Sequence, residues 1–239
     1  MELIEKKENQ ITFKAKIDET LANSIRRYLD HIPILAIDEV EIIKNDSALY
    51  DETIAHRIGL VPLKTDSTMN DKTEINLKIH PKKEGLVLSK EISGRADVVY
   101  DKIPLTLLDK DQELEVIGKA RVGRGYEHAK FSPGLMFYRN IADITMNKNC
   151  LEEVKKLCPN AEIKEKGDKI IVSDDKKKEI CDICEGITKE KKEKSETSLR
   201  DELIITIESF GQLDAKDMFK KSINELKKDL TDFSKKISK

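Results

Sequence analysis

The sequence predicts an α+β fold, with helix-forming ends around a strand-rich middle. Three observations carry this. Apolar residues recur at helical spacing over residues 20–33 and again through the closing stretch from Asp214. From residue 72 to about residue 145 the period is two instead, punctuated by Gly, Pro and Asp turns. Residues 146–196 then turn to a crowd of Lys and Glu in nearly balanced number. With 239 residues the chain can bury a real core, as one large domain or as a few small ones.

Taken in order, Ile11 and Phe13 alternate with Thr12 and Lys14, which predicts a short strand. In TLANSIRRYLDHIP, residues 20–33, Leu21, Ile25, Tyr28, Leu29 and Ile32 return to one side of a helix. Asp18 and Thr20 offer acceptors to its first N–H groups, and Pro33 stops it. At about 100° per residue, Asn23, Arg27 and Asp30 point away from the apolar stripe, with Arg26 on its border. ILAIDEVEII reads as a strand, with Val40 and Ile42 on one face and Glu39 and Glu41 on the other. A second helix places Tyr50, Ile54 and Ile58 four apart, with Gly59 set for a left-handed cap and Pro62 beyond it. His56 and Arg57 fall in its last turn. His56 has no Cys or second His at ligand spacing and reads as a locally bonded residue.

In the middle, Ile75, Leu77 and Ile79 alternate with polar residues, and LVLS, ADVVY, LEVIGKARV and LMFYRNIADI read as further strands. RVGRGYEHAKFSPG carries Gly123, Arg124, Gly125, His128 and Lys130. It could cradle a phosphate, but it lacks the P-loop frame and a following helix, so a structural loop is the better reading. Residues 161–172 predict a hairpin turning at Gly167 and Asp168, and TKEKKEKSETS reads as a solvated linker.

LIITIESF restores strand alternation. A long closing helix follows, capped by Asp214 and with Asp217 in its first turn. Phe219, Ile223, Leu226, Leu230, Phe233 and Ile237 step by 4, 3, 4, 3, 4, a heptad seam. At roughly 1.5–3 kcal/mol per buried side chain, its burial contributes on the order of 10 kcal/mol. The opening helix is about half as long, so the seam predicts a helix from a partner chain.

Composition excludes several functions. The formal net charge of −2 and few aromatics argue against a nucleic-acid-binding module built on Arg124 and Lys130. No apolar run suits a signal peptide or a membrane span, so a cytoplasmic protein is expected. No Asp-x-Asp-x-Asp constellation offers Mg²⁺ a nucleotidyl-transfer site, so no catalytic residue is expected. Four cysteines point to thiols or metal before disulfides.

The cysteines match the ferredoxin run C-x2-C-x2-C-x3-C-P in part. If Cys158 closes one run, its earlier slots fall on Lys148, Leu151 and Val154. If Cys181 and Cys184 open a second, the rest fall on Ile187 and Lys191. One cluster would keep no ligand and the other would keep Cys158, Cys181 and Cys184. These three could hold a three-iron (3Fe-4S) iron–sulfur cluster, or zinc with Cys150 as fourth ligand, or nothing. An iron–sulfur electron carrier or redox sensor is therefore the competing class.

Four stretches, TLANSIRRYLDHIPILAIDEVEI, ETIAHRIGLVPL, GRGYEHAKFSPG and ITIESFGQLDAKDMFKKSINEL, resemble in content and order a family of archaeal DNA-directed RNA polymerase subunits. This is the alpha-like (D-type) family, counterpart of the third-largest subunit of the eukaryotic polymerases. The resemblance implies a split dimerisation domain over residues 1–41 and 199–239. A β-rich insert domain at 42–145 and a degenerate ferredoxin-like insertion with linker at 146–198 would interrupt it. It implies a non-catalytic subunit of a nucleotidyltransferase complex, acting as an assembly platform for transcription. The small alpha-like (L-type) RNA polymerase subunit would dock on Leu21, Ile25, Leu29 and the seam residues Phe219, Ile223, Leu226, Leu230 and Phe233. Arg26 and Arg27 match an arginine pair associated with docking a large catalytic subunit. Small zinc-binding subunits are further implied partners, and DNA contact would be indirect.

Overall fold

A computed structural model describes every residue except 67, 82, 160, 174–180 and 239; the side chain of Cys181 also lies outside the description. β1 (Glu2–Lys6) and β2 (Gln10–Ala15) pair antiparallel. α1 (Glu19–Arg27) follows, and Leu21 N–H donates to Asp18 Oδ1 at 2.7 Å as its cap. The helix is shorter than the apolar period suggests, because the chain tightens into a 3-10 turn over Tyr28–His31 ahead of Pro33. β3 (Ile34–Asn45) and α2 (Asp51–Gly59) come next. Tyr50 stands before α2 and is exposed, so the apolar face there is Ile54 and Ile58 alone. Gly59 is right-handed; Leu60 N–H closes the last turn by donating to His56 O at 3.2 Å.

The middle holds β4 (Glu74–Ile79), β5 (Gly85–Leu88), β6 (Ile92–Gly94), β7 (Pro104–Leu108) and β8 (Leu114–Gly123). ADVVY is not a strand. Val98 makes a single bridge to Leu63, and the neighbouring Pro62 has no N–H with which to extend a ladder. β9 (Gly134–Asn147), α3 (Leu151–Leu157), β10 (Glu162–Lys166), β11 (Lys169–Ser173) and α4 (Cys181–Glu190) follow. The chain closes with β12 (Glu196–Ser209) and α5 (Ala215–Ile237). The expected linker thus shrinks to residues 191–195. Thr188 is buried and its hydroxyl donates to Cys184 O at 3.2 Å, so the charged run begins inside a packed helix. Asp214 precedes α5 without a side-chain cap bond.

Two compact units result, Met1–Asn23 with Met136–Thr206, and Ser24–Leu135 with Ile207–Lys239. The cuts fall inside α1, β9 and β12, each of which runs from one unit into the other. In the first unit a six-stranded sheet has the order β1-β2-β12-β9-β11-β10. The 161–172 hairpin forms with Gly167 at φ +61° and Lys166 opposite Lys169. Because β11 pairs with β9, the insertion continues the main sheet. Arg200 fastens this junction, donating to Asp143 from Nε at 2.7 Å and from Nη2 at 2.6 Å, and to Ser173 Oγ at 2.8 Å.

The second unit has a four-stranded sheet, β3-β8-β4-β6, and a two-stranded β5-β7 pair. Its core joins Leu35 and Ile37 of β3, Ile54 and Ile58 of α2, Leu77 and Ile79 of β4, and Leu114 and Val116 of β8. These include the inward positions of the two-residue period, as expected for sheets with one covered face. In the same unit α5 packs beside the 3-10 turn. No helix among the described residues is long and apolar enough to cross a membrane.

Candidate functional site

α5 carries two adjacent stripes. Ala215, Met218 and Ser222 are buried in its own unit, and further along the same side Asp229 Oδ2 accepts from Tyr28 OH at 3.1 Å. The heptad seam lies about 60° round the helix from that side at 100° per residue. Its cover fades along the chain. Phe219 is buried, Ile223 and Leu226 are half-buried, and Leu230, Phe233 and Ile237 are 60%, 63% and 68% exposed. Ile223, Leu226 and Leu230 also line a shallow groove with Lys227, Thr231, Ser234 and Lys235. Covering the last three apolar side chains would contribute roughly 3–6 kcal/mol.

The opening helix divides less simply than its period suggests. Ile25 and Leu29 are buried within this chain, while Leu21 is exposed. Ile25 and Leu29 therefore have little surface left to offer a partner, and so does Phe219. Arg26 and Arg27 are both exposed.

The Gly-Arg-Gly loop belongs to the second unit and is anchored on the 3-10 turn. Ser132 Oγ donates to Asp30 Oδ1 at 2.7 Å, and Tyr126 N–H donates to Asp30 O at 3.4 Å. Its glycines permit close approach. A Cβ on Gly123 would lie 2.7 Å from the Phe131 ring, and one on Gly125 would lie 3.0 Å from Asp30 Cα and Cβ. The loop's cations are already engaged. Arg124 reaches Asp71 at 3.1 Å, a hydrogen bond that raises its pKa. Lys130 and Arg121 both bind Asp38, Arg121 at 2.6 Å. Burial pushes the Asp38 carboxyl up, but the hydrogen bonds from Lys130 and Arg121 outweigh it and hold the carboxyl below the usual range. Arg124 and Lys130 thus act as internal struts, which disfavours a phosphate cradle. Sequence reading missed their partners Asp38 and Asp71, which no local spacing links to them.

His56 shares a small cleft with Asp38, His128 and Lys130. The His128 Nδ1 accepts from Lys130 N–H at 3.1 Å. Among the described residues, no three His, Cys, Asp or Glu side chains converge as a metal site. Cys150, Cys158 and Cys184 are buried thiols in one apolar cluster with Ile144, Met146, Val154, Ile170, Val172 and Ile187. Burial pushes the Cys150 thiol up.

The family described as the RNA polymerase Rpb3/Rpb11 dimerisation domain matches residues 13–230. The chain belongs to this family. It is 33% identical over 236 residues to DNA-directed RNA polymerase subunit Rpo3 of Pyrococcus horikoshii, covering 92% of this chain and 90% of that one. The Rpo3 subunits of Pyrococcus furiosus and Thermococcus kodakarensis are 37% and 36% identical, over 66% and 65% of each chain. The chain thus spans just under two thirds of those two relatives. The Rpb3/Rpb11 match takes in the end of β2, all of α1 and most of α5, including Phe219, Ile223, Leu226 and Leu230 but not Phe233 or Ile237.

Proposed function

We propose that this chain is the non-catalytic assembly subunit of a DNA-dependent RNA polymerase. It pairs with a small alpha-like subunit, and the pair forms the platform on which the large catalytic subunits assemble. The observation that carries this reading is the uncovered end of the α5 seam, Leu230, Phe233 and Ile237, in a chain of a dimerisation-domain family. A helix of the partner laid along α5 would bury that stripe, beginning at the groove beside Leu226. Leu21 is exposed, whereas Ile25, Leu29 and Phe219 are buried within this chain.

In this reading residues 1–41 and 199–239 form the split dimerisation domain, and the outward Arg26 and Arg27 dock a large subunit. Small zinc-binding subunits join the same platform, and the complex works in the cytoplasm with at most indirect contact to DNA. We read Cys150, Cys158 and Cys184 as core residues of the insertion. Their apolar surroundings support this over an electron carrier, and the side chain of Cys181, which the sequence reading grouped with Cys158 and Cys184, lies outside the described residues.

The test is co-expression with the small subunit. Leu226→Asp combined with Leu230→Asp places two charges in the seam and should abolish co-purification while the monomer stays folded. Unchanged heterodimer from the doubly substituted chain would sink the interface assignment.

A further inference from the structure

The seam of α5 has two unlike flanks. On one side, about 40–100° round the helix, lie Ala215, Met218 and Ser222, which the chain buries itself. On the other side, about 60–120° round, come Lys216, Lys220, Lys227, Thr231 and Ser234, all exposed. The groove along Ile223, Leu226 and Leu230 opens onto this second flank, with Lys227 and Lys235 at its rim.

No carboxylate of α5 falls in that second arc. The four acids of the helix keep their charge, but they sit on its back or on the chain's own side. Asp217 falls about 160° from the seam. Glu225 is only half-exposed and adds its pull to Arg124, Asp229 accepts from Tyr28 OH at 3.1 Å, and Asp232 lies 3.6 Å from Lys235. Lys216, Lys220 and Lys227 make no ion pair among the described residues. Charges bordering an apolar seam are what set partner choice and orientation between paired helices.

We propose that this lysine flank selects the partner of the seam by charge. The helix that the small alpha-like subunit lays along α5 carries Asp or Glu on the edge facing Lys220 and Lys227, and a second copy of this chain is rejected there. The inference rests on the assembly reading above and adds to it what decides between partners. A twofold antiparallel pair of α5 helices sets the lysine flank against itself. A parallel pair needs the flank that the chain already buries. Protein is favoured over nucleic acid because a phosphate backbone laid on the lysines would leave Leu230 and Phe233 in water.

The experiment measures affinity of the full chain for the purified small subunit from about 50 to about 500 mM salt, across the range where exposed charges become screened. It compares the parent, Lys220→Gln with Lys227→Gln, and Lys220→Glu with Lys227→Glu; sedimentation of each chain alone reports self-association. Parent pairing should weaken as salt rises, and the Gln chain should lose that dependence. At low salt the Glu chain should bind on the order of tenfold more weakly, and its binding should tighten as salt screens the repulsion. A Glu chain with parental affinity and salt dependence would overturn the proposal. So would a parent chain that pairs with itself as tightly as with the small subunit, or a defect confined to oligonucleotide binding. If Leu226→Asp with Leu230→Asp abolishes pairing while the Glu chain is unaffected, charge selection fails and the assembly reading stands. A parent chain that does not pair with the small subunit at all would sink both.

Discussion

Replacing Gly125 with alanine tests the anchoring of the loop on Asp30 without touching any charge. The added Cβ would meet Asp30 Cα and Cβ at 3.0 Å, with Oδ1 nearer still, so either the loop or the 3-10 turn must shift. The shift breaks the Ser132 hydroxyl bond to Asp30 Oδ1 (2.7 Å) and the Tyr126 N–H bond to Asp30 O (3.4 Å). A hydrogen bond to a charged group contributes about 1.5–3 kcal/mol and a neutral one about 0.5–1.5 kcal/mol, and part of this returns through water. The net destabilisation should be about 2–4 kcal/mol. Gly186 in α4 is the matched control, since a Cβ there meets nothing within 4 Å. Gly186→Ala should stabilise by up to about 1 kcal/mol through helix propensity. Urea unfolding with hydrogen exchange at the Tyr126 amide reads both. A Gly125→Ala chain as stable as the parent, with that amide equally protected, would refute the close-approach reasoning.

Arg200→Ala should cost about 1–2 kcal/mol, discounted because the pair is partly exposed, and should loosen the β9–β11 junction first in hydrogen exchange. The hydrogen bond from Arg200 holds the Asp143 carboxyl below its usual range against the opposing pull of burial. That stability is therefore present above the unfolded carboxylate pKa of about 3.9 and lost as pH falls through the depressed folded value. The stability gap between parent and Arg200→Ala, followed by urea titration, should accordingly narrow on acidification; a gap independent of pH would contradict it. Metal analysis of anaerobically purified heterodimer should find iron and zinc well below one per chain, and one bound equivalent lost on Cys158→Ser would refute the core-thiol reading.

Much of the fold was legible because period and burial coincide. Leu77 and Ile79 turn inward from β4 as their alternation requires, and the Gly167 hairpin closes in the expected register. What the sequence hid was mostly long-range. Nothing local shows that β11 pairs with β9, or that Lys130 commits its charge to Asp38, 92 residues away. The charged run after Thr188 reads as solvent-loving, yet it starts in a helix whose other face is packed, because charge pattern reports solvation and not backbone order. The apolar stripes of the two helices were legible as periods. The heptad places apolar residues on α5 that stay exposed at Leu230, Phe233 and Ile237, but periodicity alone cannot say which side of an amphipathic helix its own chain uses. Ile25 and Leu29 therefore read as partner-facing although the chain buries them itself.

The central claim is that a small alpha-like subunit covers the free end of α5. Hydrogen–deuterium exchange of the chain alone and in the heterodimer measures this directly. Residues 223–237 should become strongly protected on pairing, while the β5–β7 pair is unchanged. A heterodimer that forms with exchange over residues 223–237 unaltered would contradict the claim.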